Sequence, residues 1–238
     1  MDAINRFKCS FGLLQQFLEA WLPKITERCK AADRRLAGYY VWARYSMSIR
    51  TLDALNDPRL IPDIAVICRG CLEFDVSLEA VITSEELARE YLEFDKHAKA
   101  KYLKLLGKHG EIDRMLEFRK HFDQQFGEEP DDFNLPSWCH RHRGVTGLLE
   151  RFGRKYELRL YNMLSHFAHG SVSSLQALDQ WSESPDISLG RIIDAVYSAY
   201  LSSSHEFLEF IWEPLVTPDG ERCKHEFPQV MASSVNLP

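Results

Sequence analysis

Ile4, Phe7, Phe11, Leu14, Leu18 and Trp21 recur every three or four positions, and the same interval returns along almost the whole chain. Apolar residues at that spacing form one stripe on a helix, whereas a half-buried strand needs alternation. No stretch alternates over a strand's length, so the expected class is all-α, a bundle of about seven to eight helices. Pro23 is expected to disturb the first helix. A second is predicted from about Ala32 to Leu55, closed by Asn56 and Pro58, and a third from about Pro62 to Ile82. Thr83-Ser84 then caps a fourth, whose acidic first turn and lysine-rich end suit the helix dipole, before Gly107 and Gly110 break it.

A fifth helix is expected at about Glu111 to Gln125, and the acidic, proline-containing "GEEPDDFNLPS" (127–137) reads as a surface loop. Helices follow at about Val145 to Phe152, Lys155 to His169 and Ile187 to Trp212. With 238 residues, 45% of them hydrophobic, the chain can build one large core. We expect one domain over residues 1–213 and an irregular tail over 214–238, where four prolines fall without an apolar period.

No apolar run reaches the roughly 20 residues of a membrane helix, and the N-terminus shows neither a basic leader nor a cleavage site. A cytoplasmic protein with no membrane association is expected. The six cysteines fall mostly inside helical apolar patterns and read as reduced. Cys68-x-x-Cys71 and Cys139-His-Arg-His142 have zinc-type ligands, but no knuckle turn separates the first pair, so no metal is expected. No phosphate loop, dinucleotide fingerprint, His-Glu-x-x-His pair or serine elbow occurs, and no cofactor is expected.

A formal charge of −6 argues against non-specific coating of nucleic acid. Locally the balance reverses: between Trp138 and Arg159 six cations face two carboxylates, and Lys96, Lys99, Lys101, Lys104 and Lys108 make a second basic face.

The first basic patch runs into "YNMLSHFAHGS" (161–171), where Tyr161, Ser165 and His169 stand four apart beside Leu160, Met163, Leu164 and Phe167. On a helix they form one polar row. The third helix carries Arg69 and Glu73 four apart, with Asp75 and Glu79 on another face; the fourth repeats the device with Tyr91, Asp95 and Lys99. Such a row is either a network that satisfies polar groups between two helices or a site.

"RGCLEFDVSL", "YLEFDKHAKAKYLK" and "YNMLSHFAHGS" resemble, in order and spacing, three segments of a bacterial domain-of-unknown-function family, number 5677, over roughly residues 35 to 212. The resemblance implies a helical fold. More distantly, "SHFAHGS" is similar to the helix end of HEPN domains, which occur in bacterial RNases, toxins and phage-defence systems and carry Arg-x4-6-His before a small residue. Ser165 stands where that arginine would be. Two arginines are placed to supply it: Arg159, which forms Arg-x6-His with His166, and Arg69 from the facing helix.

That likeness implies a HEPN-like core and a metal-independent endoribonuclease, with His169 as proton carrier and Arg69 or Arg159 as phosphate clamp. Tyr161 and Ser165 would orient the phosphate or imidazole, Glu73 would hold Arg69, and His166 is a further candidate catalytic residue as the partner of Arg159. Asp95, Lys99, Arg154 and Lys155 are candidate substrate-binding residues. The implied partners are RNA, a second copy of the chain, and an antitoxin or defence-system protein. The alternative is a non-catalytic helical adaptor or sensor that acts through protein partners or a small anionic ligand.

Overall fold

The structure, a computed structural model, describes residues 16–17, 19–30, 32–55, 60–94, 138–169, 185–212 and 218–235. Among them are eight α-helices and no strand. These are α1 (16–17 and 19–29), α2 (Asp33–Ala54), α3 (Ile61–Thr83), α4 (85–94), α5 (Gly144–Arg151), α6 (Lys155–Ala168), α7 (Pro185–Trp212) and α8 (Pro218–Val235), with a 3-10 turn at His140–His142 before α5. The expected helix at about Glu111 to Gln125, the 127–137 loop and the lysine-rich face from Lys96 to Lys108 lie outside the described residues.

α3 is the central element, and α2, α5, α6 and α7 all pack on it. Its sequence explains that position. Pro62 sits in the first turn, where a missing N–H costs nothing, Asp63 complements the positive helix end, and Ile64, Cys68, Cys71, Leu72, Val76 and Leu78 are buried. Fully burying one such aliphatic side chain is worth about 1.5–3 kcal/mol, so a helix apolar on most sides is stable only at the centre of a bundle. Ser84 ends α3 in an extended conformation, and its Oγ accepts from the Leu87 N–H at 3.3 Å to start α4.

α2 buries Ala37, Val41, Trp42, Tyr45, Ile49 and Leu52 on one face. Two polar rungs tie it to α7: Trp42 Nε1 donates to Ser204 Oγ (3.0 Å), and Ser46 Oγ pairs with Tyr200 Oη (2.8 Å). Gly38 permits the close crossing there, because a Cβ would meet the Phe207 ring at 2.9 Å.

Two expectations are corrected. α1 continues past Pro23 to residue 29. The tail expected to be irregular from residue 214 is helical over Pro218–Val235. Its prolines misled because Pro218 occupies the helix start, where it is tolerated, with Asp219 and Glu221 in the first turn. Phe227 and Cys223 bury the helix against α1 and α7: Phe227 meets Phe17 edge-on at 5.2 Å, and Trp21 Nε1 donates to Glu226 Oε2 at 2.7 Å. Among the described residues no helix is long and apolar enough to cross a membrane.

Candidate functional site

Where α3 meets the C-terminal half of α6, the two four-residue pairs read from the sequence face each other. Arg69 Nε donates to Ser165 Oγ (3.1 Å) and Nη2 donates to Tyr161 Oη (2.8 Å). Nη2 also lies 2.9 Å from Glu73 Oε1, the Tyr161 hydroxyl donates to the same carboxylate oxygen (3.1 Å), and Ser165 Oγ–H donates to the Tyr161 carbonyl (2.8 Å). The guanidinium also lies 5.0 Å from the Tyr161 ring centre, within cation–π range. Burial, and secondarily the Glu73 charge, pushes the Tyr161 hydroxyl above its ordinary pKa, so it stays protonated and can donate.

The cluster is open on one side. The Arg69 and Glu73 side chains are 24% and 34% exposed. A guanidinium carries five N–H groups. Three are used here, and the two on Nη1 have no partner among the described residues.

His169 caps α6: its backbone N–H bonds the Ser165 carbonyl at 3.1 Å and its side chain is exposed. Among the described residues no hydrogen bond or ion pair joins its imidazole to Arg69, Glu73 or Tyr161. Arg159, His166 and Lys155 lie on the solvent face of α6, so Arg159 is outside the cluster. Of the two arginines that could stand beside Ser165, the fold brings Arg69. Asp95 and Lys99 lie outside the described residues.

Arg154 has a different place from the one expected. At the N-cap of α6 it donates from Nε to Glu79 Oε2 and from Nη1 to Asp75 Oδ2, both at 2.8 Å, and sits 3.5 Å from Glu157. Asp75 is fully buried, and its other oxygen accepts from the Ser203 hydroxyl of α7. Burial pushes the Asp75 carboxyl above its ordinary pKa, with Arg154 and Ser203 pulling the other way. With its charge met by three carboxylates, Arg154 joins α6 to α3 and, through Asp75 and Ser203, to α7. The local excess of cations hid this, because its partners lie 75 and 79 residues away. Asp75 was the available signal: it falls on the stripe of Cys68, Cys71, Leu72 and Val76, where a buried carboxylate requires a cation.

Among the described residues no three His, Cys, Asp or Glu side chains gather as a metal site. Cys68 and Cys71 are buried, and burial pushes the Cys68 thiol up to about 12 and the Cys71 thiol well above its ordinary value, which disfavours the thiolate that a metal needs.

A family model described as "Family of unknown function (DUF5677)" matches residues 22–185, which takes in α2 to α6 and so both halves of the cluster. No curated protein and no solved structure matches the chain.

Proposed function

From a chain that belongs to the family of unknown function DUF5677, we propose an activity on the geometry of its own site: a HEPN-like, metal-independent endoribonuclease with His169 as proton carrier and Arg69 as phosphate clamp. The observation that carries this reading is the hydrogen bond from Arg69 Nε to Ser165 Oγ. It brings a guanidinium from α3 beside Ser165, four residues before His169, close to the five to seven at which a HEPN helix carries its own arginine. The two Nη1 N–H groups then remain as charge-assisted donors for phosphate oxygens.

The chemistry needs few parts. Neutral His169 takes the proton of an RNA 2′-hydroxyl, whose oxygen attacks the adjacent phosphorus. The 5′-oxygen leaves with the proton returned by the imidazolium, giving a 2′,3′-cyclic phosphate and a 5′-hydroxyl. Arg69 stabilises charge on the phosphoryl oxygens, while Tyr161, Ser165 and Glu73 fix its plane. RNA is the substrate on this reading, the working unit is a homodimer, and the cellular setting is a toxin or phage-defence effector controlled by a protein partner in the cytoplasm.

One observation favours a second reading. Glu73 already neutralises Arg69 at 2.9 Å, which suits a non-catalytic adaptor or sensor whose network fixes the α3–α6 angle. RNA cleavage in EDTA, wild type against His169→Ala, with thermal unfolding of both, separates the two. Loss of cleavage at an unchanged melting temperature is expected, since His169 is exposed. A wild type that leaves RNA intact overturns the nuclease reading.

A further inference from the structure

α6 buries Leu160, Tyr161 and Leu164, and its other side is left to solvent. Lys155, Tyr156, Arg159 and Met163 are all exposed there, Tyr156 at 66% and Met163 at 37%. Tyr156 and Met163 stand seven apart, nearly two full turns, so they share one stripe; Lys155 and Arg159, four apart, share the next. Arg159 follows Tyr156 by three residues and precedes Met163 by four, which makes it a surface neighbour of both. Helix geometry alone therefore sets an aromatic ring and a thioether beside two cations.

The cations of this face are uncommitted. Glu157, the one carboxylate of α6, lies 3.5 Å from Arg154. Among the described residues no hydrogen bond or ion pair joins Lys155, Arg159 or the Tyr156 hydroxyl to another group. On a chain of formal charge −6, the solvent side of α6 thus carries positive charge and no acid of its own. A single exposed apolar side chain is ordinary. Two on one stripe, flanked by free cations, give what a nucleic-acid strand needs: charge that follows the phosphates and apolar surface on which bases stack. The same helix ends at His169, ten residues and about 15 Å beyond Arg159, so the face leads to the α3–α6 cluster.

We propose that this face of α6 is the track along which single-stranded RNA reaches Arg69 and His169: Lys155 and Arg159 hold backbone phosphates, and the Tyr156 ring stacks on an unpaired base with Met163 beside it. A duplex cannot use the ring, because its bases are already paired and stacked on one another. What the RNA undergoes at the end of the track rests on the nuclease reading; its binding rests on α6 alone.

Fluorescence anisotropy of the full chain with a labelled 2′-O-methyl oligouridine, a strand whose blocked 2′-oxygen prevents cleavage, measures binding apart from chemistry. Tyr156→Ala should weaken binding by about fivefold to a hundredfold, the loss of one stacked base, and Tyr156→Trp should bind at least as tightly as the wild type. Arg159→Ala and Lys155→Ala should each lower the slope of log affinity against log salt by about 0.7. All three side chains are exposed, so the variants should melt as the wild type does. Tyr156→Ala binding like the wild type, salt slopes unchanged in both charge variants, or displacement of the strand by an equal concentration of polyglutamate, which would mark the face as a site for an acidic protein, would each overturn the track. Cleavage of unmodified RNA is read alongside. A wild type that binds through Tyr156 yet leaves RNA intact keeps the track and removes the nuclease; one that cleaves while Tyr156→Ala binds and cleaves equally well does the reverse.

Discussion

The α3–α6 interface carries two arginine networks built from the same parts and different in kind. Near the C-terminal end of α6, Arg69 meets one carboxylate, Glu73, and two hydroxyls, with both charged side chains partly exposed. Near its N-terminal end, Arg154 meets Asp75, Glu79 and Glu157, with Asp75 sealed inside. The first is electrically balanced, and among the described residues two of its N–H groups have no partner. The second has more acid than base, so it would repel a phosphate even if one could enter. An arginine on a basic stretch of sequence thus says little about anion binding; the carboxylates that fold onto it decide.

Arg154→Ala gives the largest expected effect. It leaves the Asp75 carboxyl buried without its cation, and breaking a buried pair costs about 3–5 kcal/mol. For a chain of this length that corresponds to a melting shift on the order of 10 °C, measurable by circular dichroism. A shift as small as that of a surface substitution would erase the distinction between the two networks. Asp75→Asn is milder, because Arg154 keeps Glu79 and Glu157. It also exposes the sign of the titration. Burial raises the folded pKa of Asp75 above its unfolded value, so the folded state holds this proton more tightly. Stability from this group is complete below the ordinary carboxylate pKa and is lost as pH rises through the folded value. Relative to Asp75→Asn, the wild type should therefore gain stability as pH falls towards 4, read from urea unfolding across that range; the opposite slope would mean that Arg154 outweighs burial.

Arg69→Ala should cost less, about 1–2 kcal/mol, because its partners are partly hydrated and find water when it leaves. On the nuclease reading it abolishes RNA cleavage all the same. A stability loss matching that of Arg154→Ala, with cleavage retained, would make the two networks equivalent and the open one structural.

How much of this was legible in the sequence follows the same division. The helices α2, α3, α5, α6 and α7 followed from periodicity and caps, because a helix's stripe and its ends are local properties. Arg69 with Glu73, and Tyr161 with Ser165, were visible as four-residue pairs, and their meeting could be expected because each pair marks a polar row on an otherwise apolar helix. The Asp75–Arg154–Ser203 bridge was not, since its members are 79 and 128 residues apart and Ser203 carries no local pattern. The helix at Pro218–Val235 was missed because four prolines were weighed as breakers, when Pro218 sits where the helix begins and Phe227 supplies a core anchor. Ser46 with Tyr200, and Trp42 with Ser204, escaped for the reason Ser203 did: small hydroxyls on apolar stripes acquire meaning only from the facing helix.

Tyr161→Phe is the smallest perturbation and the most discriminating. It removes one oxygen that accepts from Arg69 and donates to Glu73, while the ring keeps its packing and its contact with the guanidinium. If the network only joins two helices, the lost hydroxyl and the lost RNA cleavage should be unrelated. In that case stability should fall by about 1 kcal/mol and nothing else should change. If the network positions Arg69 for a phosphate, the guanidinium can rotate towards Glu73 once the hydroxyl is gone, and the catalytic rate constant should fall while substrate affinity and melting temperature barely move. Reading kcat and KM separately beside a melting curve distinguishes these, because a bundle loosened overall would lower stability and both kinetic terms together.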